Sequence, residues 1–457
     1  MKVRLKMVSL FFLCFFVTSV QGAEKISFHS SLMYLQNNIH PVGTEKGIVV
    51  ASPSQQNPDY FFHWVRDSAL VMNTLLDVYL SDGHQISETS LLSAMYDYVD
   101  RVKFSQYQSG FEHLGEPKYY VSGYPFNGPW GRPQNDGPAL RAITLIKFAN
   151  FLLDKGERWY VLENLYKPVL PALSPIKMDL EFVAQNWQQQ GFDYWEEVKG
   201  LHFSTAMVQR KALLKGAELA LKLDDAYAAR YYLEKVKDIE ELLKKFWNPQ
   251  KGYIESTIEQ TSGVWKSQLD ISVILGVLHG ATNDGLYSIN DLKVMETARR
   301  IEDVFANIFP INQAETGNEA PAIGRYPEDS YDGYSVNGEG NPWFIATFAM
   351  AEYYFALEKY ASAASVDSKN YRLYCALVSL EKCQVYTNDK PAFIRKIKEG
   401  LRAKAEGFLA RADFHSDSEG HMSEQMNRYH GFMQGARDLT WSYAAHVSAL
   451  LQKGSKD

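Results

Sequence analysis

Apolar positions recur along the chain with the spacing of a helix rather than that of a strand. Amphipathic stretches with a period of 3.6 residues predict twelve α-helices, over 26–38, 66–81, 86–106, 138–155, 176–189, 205–223, 226–247, 267–280, 290–308, 343–362, 391–412 and 436–452. Strand-like alternation is scarce, with short candidates near 117–122 and 252–257. The sequence therefore predicts a mainly α protein. Its helix count fits either a closed ring of helix pairs or an open bundle.

Several of these segments carry signals for helix ends and surface pairs. An Asp-Gly dipeptide precedes Pro138 at a first-turn position, and Gly156 follows the last apolar residue of the same segment. Acidic residues stand four positions before lysines in the segment 226–247. This spacing predicts two weak ion pairs, Glu240 with Lys244 and Glu241 with Lys245.

The composition is typical of a globular protein and marks no boundary between domains. Apolar residues make up 46% of the chain and charged residues 22%, and no Pro-rich or Gly/Ser-rich linker interrupts the helical segments, so we expect one large domain. The 47 basic and 54 acidic residues give a formal net charge of −7. No basic stripe interleaves with aromatic residues, and nucleic acid is therefore not an expected partner.

The N-terminus has the pattern of a secretory signal peptide. Three basic residues precede an apolar run from Met7 to Val20, and the small residues Gly22 and Ala23 follow it. We expect residues 1–22 to be removed and residues 23–457 to form a single exported domain. A membrane anchor is the alternative, but the run is shorter than the roughly 20 apolar residues that a spanning helix needs. We expect no stable membrane association.

The cysteines and the motifs point to no cofactor and no metal. Cys14 leaves with the signal, and Cys375 and Cys383 would lie about 12 Å apart on a continuous helix, so a disulfide between them requires a break in that segment. No CxxC, HExxH or other cluster with metal-ligand spacing occurs. Neither a GxGxxG after a strand nor a GxxxxGK[ST] is present, so nucleotide cofactors are not indicated.

The segments between the predicted helices are rich in aromatic, charged and Gly-Pro residues. Long connections of this kind are either disordered or functional, and this composition is too aromatic for disorder. We interpret five of them as one binding surface: 57–67, 124–138, 191–198, 324–344 and 423–425.

Carboxylates and aromatic rings without metal motifs favour sugar chemistry. Aromatic faces stack on pyranose rings, and hydrolysis of a glycosidic bond needs one protonated and one ionised carboxyl group. Glu196 and Glu197 beside Trp195 suit the first role, because a like charge and an indole wall raise the pKa of at least one of the two. The alternative is that this acidic pair is an ordinary surface turn.

The other candidates also have structural alternatives. Arg66 and Asp67 at a helix start can reflect the helix dipole and a local ion pair. Trp130 and Trp343 can be structural plugs in Gly/Pro loops. Arg325 can pair locally with Asp329, and Glu424 alone can be a solvated glutamate. Only the joint occurrence of these residues favours a site.

That joint occurrence resembles the glucoamylases, the inverting, exo-acting α-glucan hydrolases of glycoside hydrolase family 15. The matching strings occur in the family's order over nearly the whole chain after the signal: GIVVASPSQQNPDYFFHWVRDSAL from Gly47, LGEPKY from Leu114, WGRPQNDGPALRA from Trp130, DLEFVAQNWQQQGFDYWEEV from Asp179, GRYPEDSY from Gly324, GNPWF from Gly340, SEQ from Ser423 and GARDLTWSYAA from Gly435.

The resemblance implies an all-α fold, an (α/α)6 barrel with long active-site loops at one end. It implies that Glu196 is the general acid and Glu424 the general base. It further implies that the remaining site residues bind substrate: Tyr60, Arg66, Asp67, Trp130, Trp195, Glu197, Arg325 and Trp343.

The implied reaction is single-displacement hydrolysis of terminal α-1,4 bonds, and more slowly of α-1,6 bonds, with release of β-D-glucose. The two carboxyl groups of an inverting enzyme lie about 6.5–9.5 Å apart. We expect an α-glucan partner (starch, glycogen or malto-oligosaccharides), no cofactor, a secreted protein and a monomeric chain.

Some features depart from the family's usual pattern. Phe62 and His63 replace the Tyr and Thr usual in fungal members, which predicts the loss of one hydroxyl from the pocket wall. The string MNRYHGFMQ after Glu424 is also unusual. The chain ends without a starch-binding module, which makes raw granules a less suitable target than soluble dextrins. Three alternatives remain open. They are a hydrolase of isomalto-oligosaccharides or trehalose on the same scaffold, a non-catalytic glucan-binding protein, and an inverting phosphorylase on a related barrel, which would require phosphate.

Overall fold

The computed structural model describes residues 25–81, 86–108, 110–282, 284–313, 320–380, 383 and 389–454. The predicted signal, residues 1–22, lies outside this part of the chain. Fifteen α-helical segments occur within it: α1 (Phe28–Asn37), α2 (Val65–Leu80), α3 (Glu88–Gln106), α4 (Asp136–Asp154), α5 (Arg158–Tyr160), α6 (Pro175–Asn186), α7 (Phe203–Lys222), α8 (Ala226–Lys244), α9 (Ser272–Gly280), α10 (Leu292–Ile308), α11 (Pro310–Gln313), α12 (Phe344–Tyr360), α13 (Tyr371–Leu377), α14 (Lys390–His415) and α15 (Thr440–Gly454).

Six of the helices form a closed inner ring. Each contacts the next in the order α2, α4, α7, α9, α12 and α15, and α15 contacts α2 again. A second helix packs outside each of them: α3 on α2, α6 on α4, α8 on α7, α10 on α9, α14 on α12 and α1 on α15. This closure excludes the open bundle and confirms the predicted (α/α)6 barrel.

The two rings differ in how their residues are buried. The inner helix α12 carries buried residues around its whole circumference, 13 of 17, because it has neighbours on every side. The outer helix α10 buries one stripe, which includes Val294, Ala298, Ile301 and Phe305, and exposes the opposite face. The inner helix α12 is therefore buried on almost every side, and the outer helix α10 is amphipathic.

The strands are short and lie in the connections: β1 (His63–Trp64), β2 (Lys118–Tyr119), β3 (Gly191–Phe192), β4 (Val198–His202), β5 (Trp247–Asn248), β6 (Tyr253–Ile254), β7 (Thr257–Gly263), β8 (Gln425–Met426) and β9 (Met433–Gln434). Antiparallel pairs form between β1 and β2, β5 and β6, and β8 and β9, and the order β3-β4-β7 makes one three-stranded sheet. The strand candidates near 117–122 and 252–257 are confirmed in part.

All twelve predicted helices are present with small shifts at their ends. Gly156 follows α4 with a φ of 83°, as the stop signal predicted. The helix predicted over 226–247 ends at Lys244, because Trp247 pairs in β5. The pattern missed α5, α11 and α13, which are too short to show helical periodicity.

The two predicted surface ion pairs on α8 are wrong. Lys244 binds Glu241, three residues before it, at 2.5 Å. Glu240 accepts hydrogen bonds from the buried Arg210 of α7, at 2.7 and 2.9 Å. A tertiary contact with a buried guanidinium has replaced a weak local pair.

The helix that carries Cys375 ends at Leu377, which supplies the break that a disulfide requires. Cys375 and Cys383 are bridged, and their Cα atoms lie 6.1 Å apart. Within the described ranges, no helix has both the length and the apolar character needed to cross a membrane.

A buried ion pair joins the inner helix α4 to the outer helix α6. Arg141 Nε and Nη2 donate to the two carboxylate oxygens of Asp179, at 2.8 and 2.6 Å.

Removing one partner of this ion pair leaves a buried charge uncompensated, so we expect Arg141→Met to lower the free energy of unfolding by about 3–5 kcal/mol. Urea unfolding measures this loss. The control Glu241→Gln breaks an exposed pair and should cost less than about 1 kcal/mol; equal losses in the two variants would contradict the prediction.

Candidate active site

A cavity of about 390 Å³ lies at the N-terminal ends of the inner helices. These ends share one side of the ring, so the loops that precede the helices converge there. All ten predicted site residues line this one cavity: Tyr60, Arg66, Asp67, Trp130, Trp195, Glu196, Glu197, Arg325, Trp343 and Glu424. We call it the site cavity.

Glu196 lies in the turn between β3 and β4, with a left-handed backbone at φ 65°. Such a conformation is costly for a residue other than glycine and persists only where its surroundings impose it. Asp193 fixes the turn, because its Oδ1 accepts hydrogen bonds from the backbone N–H groups of Glu197 and Val198, at 2.8 and 3.0 Å. Lys266 Nζ lies 3.0 Å from Asp193 Oδ2, and this buried pair anchors the turn to the chain before α9.

The carboxyl group of Glu196 is held through one oxygen. Trp64 Nε1 and Gln134 Nε2 each donate to Oε1 at 2.8 Å, and Arg66 Nη2 lies 3.7 Å from the same atom. Among the described residues, no hydrogen bond is made to Oε2. The first oxygen therefore orients the group and the second is available to another molecule.

Arg66 is a buried cation at the start of α2. Its Nη1 donates to Gln134 Oε1 at 2.9 Å and to Asp136 Oδ2 at 3.2 Å, and its guanidinium lies over the rings of Tyr194 and Trp441. Its Nε lies 3.6 Å from Asp67. Burial raises the pKa of Asp67 to about 6, although the charge of Arg66 opposes the rise.

Glu197 is held through both oxygens, unlike its neighbour Glu196. Arg325 Nη2 donates to its Oε1 at 2.8 Å, and the Tyr326 hydroxyl donates to its Oε2 at 2.5 Å. Burial raises the pKa of Glu197, and Arg325 and Tyr326 oppose the rise. Arg325 also binds Asp329 through two hydrogen bonds, at 2.8 and 2.6 Å, so its predicted local ion pair forms as well. Glu197 is thus neither a surface residue nor free to move.

Glu424 is almost fully buried, at 1% exposure, and is not the solvated glutamate of the structural alternative. Burial raises its pKa to about 8, while hydrogen bonding from the Tyr60 and Tyr331 hydroxyls and the charge of Arg325 lower it. These hydroxyls also bind each other at 3.1 Å. Of the four carboxyl groups that line the cavity, Glu196 and Glu424 therefore have different surroundings.

Gly435 has no side chain, and the Glu424 carboxylate lies where a side chain at this position would begin. A Cβ atom on this glycine would lie 2.4 Å from Glu424 Oε2, and the residue has a φ of 76°. Backbone conformation and close approach both require glycine here.

The two predicted plugs, Trp130 and Trp343, belong to the cavity wall. Their indole Nε1 atoms are buried, and neither has a hydrogen-bond partner among the described residues. A buried donor without a partner is costly, so both N–H groups are unusual features of the cavity wall. The ring of Trp343 lies 5.7 Å from that of Trp195.

Phe62 and His63 do not line the cavity, so the predicted loss of a hydroxyl from its wall is wrong. Phe62 packs edge-on against Phe126, and the buried His63 accepts a hydrogen bond from the Val49 backbone at Nδ1. The unusual string after Glu424 forms the β8-β9 hairpin. Its residues 427–434 are not part of the wall either.

Trp441, at the start of α15, lines the site cavity and also a second cavity of about 510 Å³, which we call the far cavity. The far cavity lies among the C-terminal halves of the inner helices and has a polar wall that includes Lys147, Lys211 and Glu352. The indole of Trp441 is therefore part of the partition between two spaces on the barrel axis.

Sequence analysis missed several residues that shape the site. Trp64 and Gln134 orient Glu196, Tyr331 contacts Glu424, and Trp441 closes the cavity floor. All four lie within the strings or loops already singled out, but position alone did not reveal what each contacts. No group of three or more potential metal ligands occurs in the described ranges.

Comparison with known proteins gives one family. Residues 29–451 match the family described as glycosyl hydrolases family 15. A glucoamylase of Blastobotrys adeninivorans is 37% identical over 429 residues (91% of this chain and 68% of that protein), and glucoamylase 1 of Rhizopus oryzae is 35% identical over 424 residues (91% and 68%). The structure of the family 15 glucoamylase from Hypocrea jecorina superposes with a TM-score of 0.81 at 30% identity, covering 93% of this chain and 70% of that one.

Gly435→Ala tests the close approach to Glu424. The added methyl group clashes with the carboxylate and strains the backbone, so we expect the free energy of unfolding to fall by about 1–3 kcal/mol more than strain alone would cause. The control Gly156→Ala has a similar φ of 83° but open space around the new atom, and it measures the backbone cost alone, about 1 kcal/mol. Equal losses in urea unfolding would show that the contact with Glu424 carries no cost.

Proposed function

The chain belongs to glycosyl hydrolases family 15, and from this premise we propose that it is an exo-acting glucoamylase that releases glucose from the non-reducing ends of α-1,4-linked glucans. The observation that carries the proposal is the meeting of Glu196 and Glu424 in one cavity, where the two carboxyl groups have different surroundings. The relatives named above are glucoamylases, which supports the same activity.

The proposed mechanism is a single displacement with inversion. Glu196 gives its proton to the glycosidic oxygen as the bond to the anomeric carbon breaks. Glu424 takes a proton from a water molecule, whose oxygen attacks that carbon from the opposite face, so an α-linked substrate yields β-glucose. The hydrogen bonds on Glu196 Oε1 leave Oε2 for the proton that is transferred. A separation of about 6.5–9.5 Å between the carboxyl groups is required for the water.

The other residues bind the terminal sugar in this proposal. Asp67 and the cation Arg66 lie at the cavity end near Trp441 and bind the hydroxyl groups of the terminal sugar. Glu197 and Arg325 hold each other and present a rigid polar wall. Tyr60, Trp130, Trp195 and Trp343 supply apolar surface. The indole N–H groups of Trp130 and Trp343 donate to no acceptor among the described residues.

The partition formed by Trp441 supports exo action. Because the indole ends the site cavity, only a chain end can enter and one glucose unit is released at a time. We propose α-1,4 bonds of starch, glycogen and malto-oligosaccharides as the main substrates, with slower cleavage of α-1,6 bonds. The N-terminal pattern supports an exported protein with residues 23–457 as its catalytic domain.

Glu196→Gln tests the role of the general acid. We expect glucose release from maltoheptaose to fall by about 10²–10⁴-fold, because the amide cannot donate the proton, while maltose binding measured by calorimetry is retained. The control Glu352→Gln removes a carboxyl group from the far cavity and should leave both measurements unchanged. NMR of the first product tests the stereochemistry. Fresh α-glucose would contradict inversion, and unchanged turnover in Glu196→Gln would remove Glu196 from the mechanism.

Tyr331→Phe tests the role of Glu424 as the base. Loss of a hydrogen bond to the ionised carboxylate raises its pKa, so less of the enzyme holds Glu424 ionised at pH values below about 8. We expect the kcat/KM of the variant, relative to the original protein, to be lowest at acid pH and to recover as the pH rises past 8. The control is Tyr232→Phe, which removes a buried hydroxyl group that donates to Glu181 between two outer helices. A deficit that is equal at every pH would contradict the assignment.

A further inference from the structure

A buried lysine beside the site cavity has no acidic partner. Lys118 belongs to the LGEPKY string and lies in β2, directly across from Trp64 of β1. Its side chain is buried, at 3% exposure, and it forms no ion pair within 4.0 Å with any residue that the structure describes. A buried ammonium group needs compensation from some other source.

Four aromatic rings supply that compensation. Lys118 Nζ lies 3.6 Å from the ring centroid of Trp130, 4.0 Å from that of Phe62, 4.4 Å from that of Phe126 and 4.5 Å from that of Trp64. The negative face of an aromatic ring attracts a cation within about 6 Å, and the attraction is stronger when water is excluded. We call these four rings the aromatic cage.

The cage rings also pack against one another. Phe126 meets Trp130 edge-on at 5.7 Å, Phe62 meets Phe126 edge-on at 5.4 Å, and Trp64 lies 5.9 Å from Trp130. The backbone N–H of Phe126 donates to the Lys118 carbonyl at 2.9 Å, which ties the loop to β2. The ammonium group therefore lies at the centre of a continuous aromatic cluster.

Two of the cage rings take part in the site. Trp64 Nε1 donates to Glu196 Oε1 at 2.8 Å, so the tilt of this indole sets the position of the carboxyl group. Trp130 lines the site cavity with an unpartnered Nε1. Phe62 and Phe126 are not in the cavity wall and contact it only through the other two rings.

We propose that Lys118 is a positioning residue, whose ammonium group fixes the indoles of Trp64 and Trp130 and, through Trp64, the carboxyl group of the general acid Glu196. The inference rests on the proposed role of Glu196. Lys118 touches no reacting atom in this scheme.

The charge of Lys118 acts on Glu196 as well. Burial lowers the pKa of Lys118 to about 8, the negative charges of Glu196 and Asp59 oppose this change, and Arg132 adds to it. The same interaction draws the Glu196 carboxyl group toward the cage.

Lys118→Met tests the proposal, with Lys118→Arg as the variant that keeps the charge. We expect kcat for Lys118→Met to fall by about 10- to 100-fold, because a misplaced acid costs rate in the transition state. Lys118→Arg should recover a large part of this loss. The control Lys177→Met removes another buried lysine, which pairs with Asp225 far from the site, and should lower stability without changing kcat.

The pH profile separates positioning from a merely structural role. Lys118 loses its own charge as the pH rises past about 8, so the kcat/KM of Lys118→Met relative to the original protein should rise above that pH. Lys118→Arg keeps its charge, so its deficit should be small at every pH. A loss of folded protein would give the same deficit at every pH, and such a result for Lys118→Met would overturn the proposal.

A double-mutant cycle tests whether Lys118 acts through Trp64. If it does, Lys118→Met should cost much less kcat in a Trp64→Phe background than in the original protein. Additive losses would overturn this route. Should Lys118→Met fail to fold, Phe62→Leu removes one cage wall outside the cavity and should reduce kcat in the same direction by a smaller factor; unchanged kcat in that variant would also overturn the proposal.

The two proposals fail in different ways. If Glu196→Gln retains turnover, Glu196 is not the acid and the proposed function is wrong. If Glu196→Gln loses turnover while Lys118→Met keeps the original kcat and pH profile, the proposed function stands and only the role of Lys118 is wrong.

Discussion

Closure of the inner ring decides where polar chemistry can lie in this protein. An inner helix that has neighbours on every side is apolar along most of its length, as α12 is. The residues of the site cavity lie near the N-terminal helix ends, where loops replace helical neighbours. All the N-terminal ends face one side, and the strings richest in aromatic and charged residues precede them. The site is thus a consequence of how the ring closes.

Buried cations then arrange the carboxyl groups at that end. Arg66 holds Asp136 and approaches Glu196, Arg325 holds Glu197 and Asp329, and Lys266 holds Asp193. A buried charge is costly without a partner, so each cation fixes its carboxylates firmly. Glu424 differs, because the hydroxyl groups of Tyr60 and Tyr331 contact it and burial raises its pKa to about 8. This contrast gives the two carboxyl groups of the proposed mechanism their separate characters.

Helical periodicity predicted the helices, and the strings of the family resemblance singled out ten residues that the fold brings to one cavity. Helical periodicity records burial over ten or more residues, and the site strings are long enough to be distinctive. Contacts between side chains from different loops produce no periodic pattern in the sequence, so they could not be predicted. The spacing predicted that Glu240 pairs with Lys244, but in the structure Glu240 binds Arg210. Phe62 was expected in the pocket wall, but it packs edge-on against Trp64 outside the cavity. The aromatic cage around Lys118 likewise depends on a strand pairing of only two residues, which no periodicity reveals.

The axis of the barrel is hollow on both sides of Trp441, with a larger and more polar space beyond it than before it. The indole of Trp441, at the start of α15, is part of the wall that separates the two spaces. How far a molecule in the site cavity can extend along the barrel axis is therefore limited by the side chains of this wall and not by the helix backbones alone. A smaller side chain at position 441 would remove part of the wall and bring the two spaces closer to a continuous channel.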